Sequence, residues 1–273
     1  MYRGDPLNHE GAYHGPWVHA GGPGTRGDRP VRRLAAVRGS ITRDVDRSVM
    51  AETICFDMYG TLCDTSSVTE TLAAELDAPQ ALVAELDATW RAKQLQYSYQ
   101  AALMEAYRPF WAVTRDALEY ALAQWGIEPD GPTRERLLES YEHLDPYPDA
   151  VETLTRLSEA GHTVTVLSNG NPEMLETLAD NAGLAPHLDD VVSADEVSTF
   201  KPNPSVYENA AERTDTEIGD CRLVSGNAWD VAGAESAGMR TAWVNRANDP
   251  FERLGVSPTL EVTGLTEVAD ELS

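Results

Sequence analysis

The spacing of short apolar runs constrains this chain more than any other feature. Thr53–Phe56, His162–Leu167, Asp190–Ser193, Cys221–Val224 and Thr241–Val244 are brief and rich in β-branched residues, and helical stretches separate them. Strands that read as apolar runs belong to parallel sheets covered on both faces. The pattern predicts a doubly wound, mostly parallel, Rossmann-like α/β core, with Val262-Thr263 adding an edge. Three runs end in polar groups: Asp57 before Gly60-Thr61, Ser168-Asn169 before Gly170, and Ser225-Gly226-Asn227 leading to Asp230. Ligands of open α/β sheets bind beyond the carboxyl ends of the strands. A carboxylate there, beside a Gly turn with free backbone N–H groups, is a nucleophile candidate. From this segment alone, Asp57 reads equally well as the cap of the next helix. Ser168-Asn169 likewise reads as a polar turn, with Asn171 capping a helix from Pro172.

Residues 66–146 carry no strand pattern. Helices are predicted over Ser66–Leu76, Pro79–Ala102, about Thr114–Trp125 up to Gly126, and about Pro132–Leu144. Pro146 and Pro148 mark the return to the main domain, where Ala150–Glu159 is a further helix. Arg91, Gln94 and Leu95 stand at i, i+3 and i+4 and share one helix face. An Arg beside Leu and aromatics can hold an anion; the bland reading is a surface Arg on an amphipathic helix.

Charge narrows the partners. The formal net charge is −24 and the pI about 4.4, which excludes nucleic acid and anionic membranes as natural partners. Of the 21 basic residues only Lys93 and Lys201 are lysines. A folded chain this acidic and this poor in lysine points to a halophilic protein from a high-salt cytosol, where the Debye length is about 3 Å and self-repulsion is screened. Cys55, Cys63 and Cys221 lie in or beside apolar runs, without a CxxC spacing, and read as buried thiols of a reducing, cytoplasmic compartment. No apolar run approaches the length of a membrane span.

Residues 1–49 differ in composition and are expected to be a disordered N-terminal extension, rich in Gly, Pro, His and Arg. Arg32-Arg33 invites an export reading, which Arg38 interrupts before an apolar segment forms. His9, His14 and His19 recur every five residues, and the tail reading takes precedence over a metal site. Met50, just before the first strand, is a candidate start.

The quoted motifs resemble the haloacid dehalogenase (HAD) superfamily over about Thr53 to the C-terminus. Asp57-Met-Tyr-Gly-Thr-Leu62 is similar to its first motif, but Tyr59 stands where its phosphatases carry a second Asp. A phenol with a pKa near ~10 substitutes poorly for a carboxylic acid. In the fourth motif Gly226 replaces an Asp that would bind Mg²⁺, four residues before Asp230. Ser-x-Asn-Ala-Trp-Asp instead resembles the L-2-haloacid dehalogenase branch, although Gly226 stands where many relatives carry Ser, at the expense of one hydrogen bond. Trp-Arg-x-Lys-Gln-Leu-x-Tyr and Phe110-Trp-x-Val-Thr are similar to the helical cap of that branch.

The resemblance implies a core of residues 50–65 and 147–273, a cap of 66–146, and a site between them. It implies Asp57 as nucleophile and Lys201 as its ion-pair partner. Ser225, Asn227, Asp230 and Tyr207 would serve ester hydrolysis. It places Arg91 and Asn169 at the halide and Ser168 at the substrate carboxylate, with backbone N–H groups near Thr61. Tyr59, Leu95, Phe110 and Trp229 would complete the pocket. The implied reaction is hydrolytic dehalogenation of a short (S)-2-haloacid, without metal or organic cofactor, by a chain that can pair as a homodimer. A HAD-type phosphatase and a non-catalytic HAD-like binding protein are the alternatives.

Overall fold

The structure, a computed structural model, describes residues 51–273. The expectations for residues 1–49 and for Met50 lie outside the described residues. A six-stranded parallel sheet runs in the order β5-β4-β1-β6-β7-β8. Its strands are β1 (Thr53–Phe56), β4 (Thr163–Ser168), β5 (Asp190–Ser193), β6 (Cys221–Ser225), β7 (Arg240–Val244) and β8 (Leu260–Val262). β1 lies between β4 and β6, with Phe56 opposite Val166 on one side and Val224 on the other. The expected edge strand is β8, which pairs with β7 two residues earlier than Val262-Thr263 suggested.

All four residues of β1 are buried, and successive side chains point to opposite faces. Ile54 and Phe56 join one apolar cluster, Cys55 the other. The first cluster takes in α5 (Ala150–Glu159), α6 (Pro172–Asn181) and α9 (Leu265–Leu272). The second takes in α7 (Pro204–Arg213) and Ala234 of α8 (Ala228–Ala237). Helices therefore cover both faces, as the apolar strands require. All three cysteines are buried and unpaired.

Four helices follow β1: α1 (Ser66–Glu75), α2 (Gln80–Leu103), α3 (Phe110–Trp125) and α4 (Gly131–Glu139). Their entry and exit are clamped by a two-residue antiparallel ladder that the sequence pattern missed, β2 (Cys63–Asp64) against β3 (Asp145–Pro146). α3 begins four residues earlier than expected, because Pro109 stands at its N-cap and needs no N–H there. α4 ends at Glu139 and tightens into a 3-10 turn over Ser140–Glu142. Asn171 stands at the N-cap of α6 without capping it; its Oδ1 accepts instead from the Trp111 N–H of α3 at 3.1 Å. The first apolar cluster continues from the sheet into these helices through Met58, Leu62, Val68 and Trp90. Among the described residues no helix is long and apolar enough to cross a membrane.

Candidate active site

β1 hands its direction to Asp57, whose N–H donates to the Val224 carbonyl at 3.0 Å. The backbone is thereby fixed one residue beyond the strand. The chain then turns at Gly60, whose φ of +76° is left-handed and suits glycine. Asp57 is 6 % exposed. Its Oδ2 accepts from Asn227 Nδ2 at 2.7 Å and from Thr61 Oγ1 at 3.1 Å. Among the described residues its Oδ1 accepts only from Lys201 Nζ, at 3.3 Å. One oxygen is thus doubly held and the other lightly held.

Lys201 lies closer to Asp230 than to Asp57. Its Nζ donates to Asp230 Oδ2 at 2.7 Å, and Tyr207 donates to Asp230 Oδ1 at 2.8 Å. Both oxygens of Asp230 are therefore engaged, and it is fully buried behind the cavity. Burial alone would push the Lys201 ammonium down, but the Asp230 and Asp57 carboxylates outweigh it and hold it above the usual lysine value. Burial raises the Asp230 carboxyl, against the opposing charge of Lys201. Burial also pushes the Tyr59 and Tyr207 phenols well above their ordinary value, so both remain neutral at neutral pH.

A cavity of about 150 Å³ opens in front of Asp57. Tyr59, Arg91, Leu95, Phe110, Ser168, Asn169, Lys201, Asn227 and Trp229 line it with Asp57. The predicted face of α2 thus points at the strand ends. Asn169 is oriented by its Oδ1, which accepts the Lys201 N–H at 2.8 Å; its Nδ2 has no protein acceptor among the described residues. The hydroxyls of Ser168 and Tyr59 are buried without a hydrogen-bond partner. Trp229 packs its ring against Tyr99, centroids 5.8 Å apart.

Four predicted residues stand behind the cavity: Thr61, Ser225, Tyr207 and Asp230. Ser225 Oγ accepts the Asn227 N–H at 3.1 Å and so orients the residue that holds Asp57. Thr61 bridges Asp57 and the Gly226 N–H, which it accepts at 2.9 Å. The N–H groups of Gly60, Leu62 and Cys63 bond within the turn, while those of Tyr59 and Thr61 donate to no backbone carbonyl among the described residues. Arg91 is only half-buried and is tied to Asp87 and Thr65.

The sequence reading did not assign Thr65, Gln94 and Tyr141, which also line the cavity. Gln94 Nε2 donates to Thr114 Oγ1 at 3.0 Å, and Tyr141 donates to Gln94 Oε1 at 2.7 Å. The i, i+3 spacing from Arg91 already placed Gln94 on the right face. Tyr141, on a 3-10 turn, belongs to no periodic pattern that would have marked it.

The family model described as haloacid dehalogenase-like hydrolase matches residues 51–238. The chain is 38% identical to (S)-2-haloacid dehalogenase 1 of Pseudomonas sp. (strain CBS-3) over 213 residues, 78% of this chain and 92% of that one. It is 38% identical to (S)-2-haloacid dehalogenase 4A of Burkholderia cepacia, over 78% of this chain and 91% of that one. The L-2-haloacid dehalogenase of Xanthobacter autotrophicus, solved with chloropropionic acid covalently bound, superposes with a TM-score of 0.73 at 33% identity, over 81% of this chain and 98% of that one.

Proposed function

Because the chain belongs to the haloacid dehalogenase-like hydrolases, within their (S)-2-haloacid dehalogenase branch, we propose that Asp57 is the nucleophile of a carbon–halide hydrolysis. The activity is hydrolytic dehalogenation of short (S)-2-haloacids to (R)-2-hydroxyacids and halide, through an aspartyl ester. The observation that carries the assignment is one buried carboxylate facing a guanidinium across a cavity to which Tyr59, Leu95, Phe110, Tyr141 and Trp229 add apolar walls.

Asp57 Oδ1, the lightly held oxygen, attacks C2. The new C–O bond forms as the C–halide bond breaks on the opposite side, so the carbon inverts and the halide leaves with the bonding pair. A carboxylate is a weak nucleophile in water, and a substrate that fills the pocket displaces that water. Arg91 and the Asn169 amide receive the halide. Ser168 Oγ donates to the substrate carboxylate. Thr61 and Asn227 keep Oδ2 in place throughout.

Water then attacks the ester carbon of Asp57. The bond from that carbon to the ester oxygen breaks, and the Asp57 carboxylate is restored. One water proton ends on the product hydroxyl and the other leaves to solvent. Asn227 orients the water. Asp230, with both oxygens engaged, acts through Lys201, and Tyr207 fixes Asp230. Residues 66–146 act as a cap over a core of 50–65 and 147–273. A cytoplasmic location and a homodimer complete the proposal; sedimentation velocity checks the second.

The test is bromide release from L- and D-2-bromopropionate with EDTA present. Release from the L form alone is expected, and Asp57→Ala should abolish it while leaving the unfolding curve intact. Substantial turnover by Asp57→Ala sinks the assignment. Phosphate-ester hydrolysis with Mg²⁺ in place of bromide release favours a phosphatase instead.

A further inference from the structure

Arg91 is the cation set against the departing halide, and this inference rests on that reading. Its guanidinium is not free. Nε and Nη2 donate to Oδ1 and Oδ2 of Asp87 at 2.9 and 2.8 Å, a two-pronged pair one helical turn apart on α2. Nη2 also donates to the Thr65 carbonyl at 2.5 Å, and Nη1 donates to Thr65 Oγ1. A guanidinium has five N–H groups. Four of them are engaged inside the protein, and one, on Nη1, remains for a ligand.

Asp87 is itself held in place. Its Oδ2 accepts from Thr69 Oγ1 at 2.7 Å, and its side chain is 12% exposed against 32% for Arg91. Lys201, the other cation lining the cavity, is also paired with carboxylates. An anion entering the cavity therefore meets no unpaired positive charge among the described residues. A lone charge attracts over a long range in a low-dielectric pocket, whereas an ion pair acts only at contact.

We propose that Asp87 is a positioning residue that aims Arg91 at the leaving halide through a single N–H while offsetting most of its charge, so that halide is stabilised as it departs but held weakly once free. Binding the product tightly would lower the rate at which the site empties and would not lower the barrier of the chemical step. The device fits the high-salt medium that the acidic, lysine-poor composition predicts. In molar chloride a halide site built on a bare guanidinium would stay filled by the medium.

The experiment is chloride inhibition of bromide release from L-2-bromopropionate, with ionic strength held constant by sulfate. The uncharged variants Asp87→Asn and Asp87→Ser should bind chloride about tenfold more tightly, with a smaller change in KM for the substrate. Asp87→Glu, which keeps the charge, should stay within about twofold of the wild type. Variants too slow for kinetics are read by bromide titration of tryptophan fluorescence, since Trp229 lines the cavity. Unchanged halide affinity in both uncharged variants overturns the proposal. So does a wild type half-inhibited by about 1 mM chloride, a measurement that needs no variant. A wild type that releases no bromide at all instead removes the dehalogenase reading beneath it.

Discussion

Two hydroxyls of the cavity are buried without partners, those of Tyr59 and Ser168, and they should answer differently to deletion. A buried polar group left unpaired costs about 1–3 kcal/mol. Tyr59→Phe should therefore raise stability by about 1 kcal/mol, read by urea unfolding, with little change in kcat. Ser168→Ala should gain stability too but raise KM about tenfold, because that hydroxyl is assigned to the substrate carboxylate; an unchanged KM removes the assignment. Lys201 is the opposite case. Lys201→Met leaves Asp57 and Asp230 buried without their cation, and should cost about 3–5 kcal/mol. Adding Asp230→Asn should return part of that stability without returning activity; a double variant as unstable as the single one argues against charge as the cause. The pH dependence follows from the same groups. Folding raises Lys201 above its ordinary value of 10.5 and the Tyr59 and Tyr207 phenols above 10.0. A group raised on folding stabilises fully below its unfolded pKa, and that contribution fades as pH rises through the folded value. Wild-type stability should thus fall above about pH 10, and Lys201→Met and Tyr59→Phe should each flatten the decline.

Among the elements, the strand ends were legible in the sequence, because a short β-branched run closed by a polar residue and a glycine has one natural place in an α/β fold. So were the inward face of α2 and the bounds of β1, β5 and α5. What escaped depends on pairing at a distance: the β2–β3 ladder is too short to show a period, and Tyr141 reaches the cavity from a 3-10 turn. Gly226 shows the same limit. From the sequence it is a Ser-to-Gly replacement that removes a hydrogen bond. In the structure a Cβ there would come within 2.5 Å of the Gly60 carbonyl oxygen, so the glycine lets the first and fourth motifs close on each other. Gly60 is backbone in a tight turn and has little room to yield. Gly226→Ser should cost about 1–3 kcal/mol and shift Thr61 off Asp57, lowering kcat. A variant as stable and as active as the wild type shows that the turn yields.

Over the whole molecule the dominant physical fact is a formal charge of −24. Many exposed carboxylates already have arginine partners, such as Asp116 with Arg108, Glu75 with Arg136 and Asp270 with Arg156, but exposed pairs of this kind contribute little each. The surplus repels itself. Raising KCl from about 0.1 M to about 1 M shortens the Debye length from about 10 Å to about 3 Å, and the melting temperature should rise by several degrees. A melting temperature that stays flat or falls would show that self-repulsion is not what limits stability. The position of β1 has a consequence of another kind. The strand that bears the nucleophile is made early but is central in the sheet, and its partners come late: Lys201 lies 144 residues after Asp57, and Asn227 lies 170 residues after it. During synthesis the helices α1–α4 can form from local contacts while β1 still waits for both neighbours. The nucleophile therefore waits through the synthesis of 170 residues for Asn227, and the ribosome has to deliver β6 before any carbon–halogen bond can be broken.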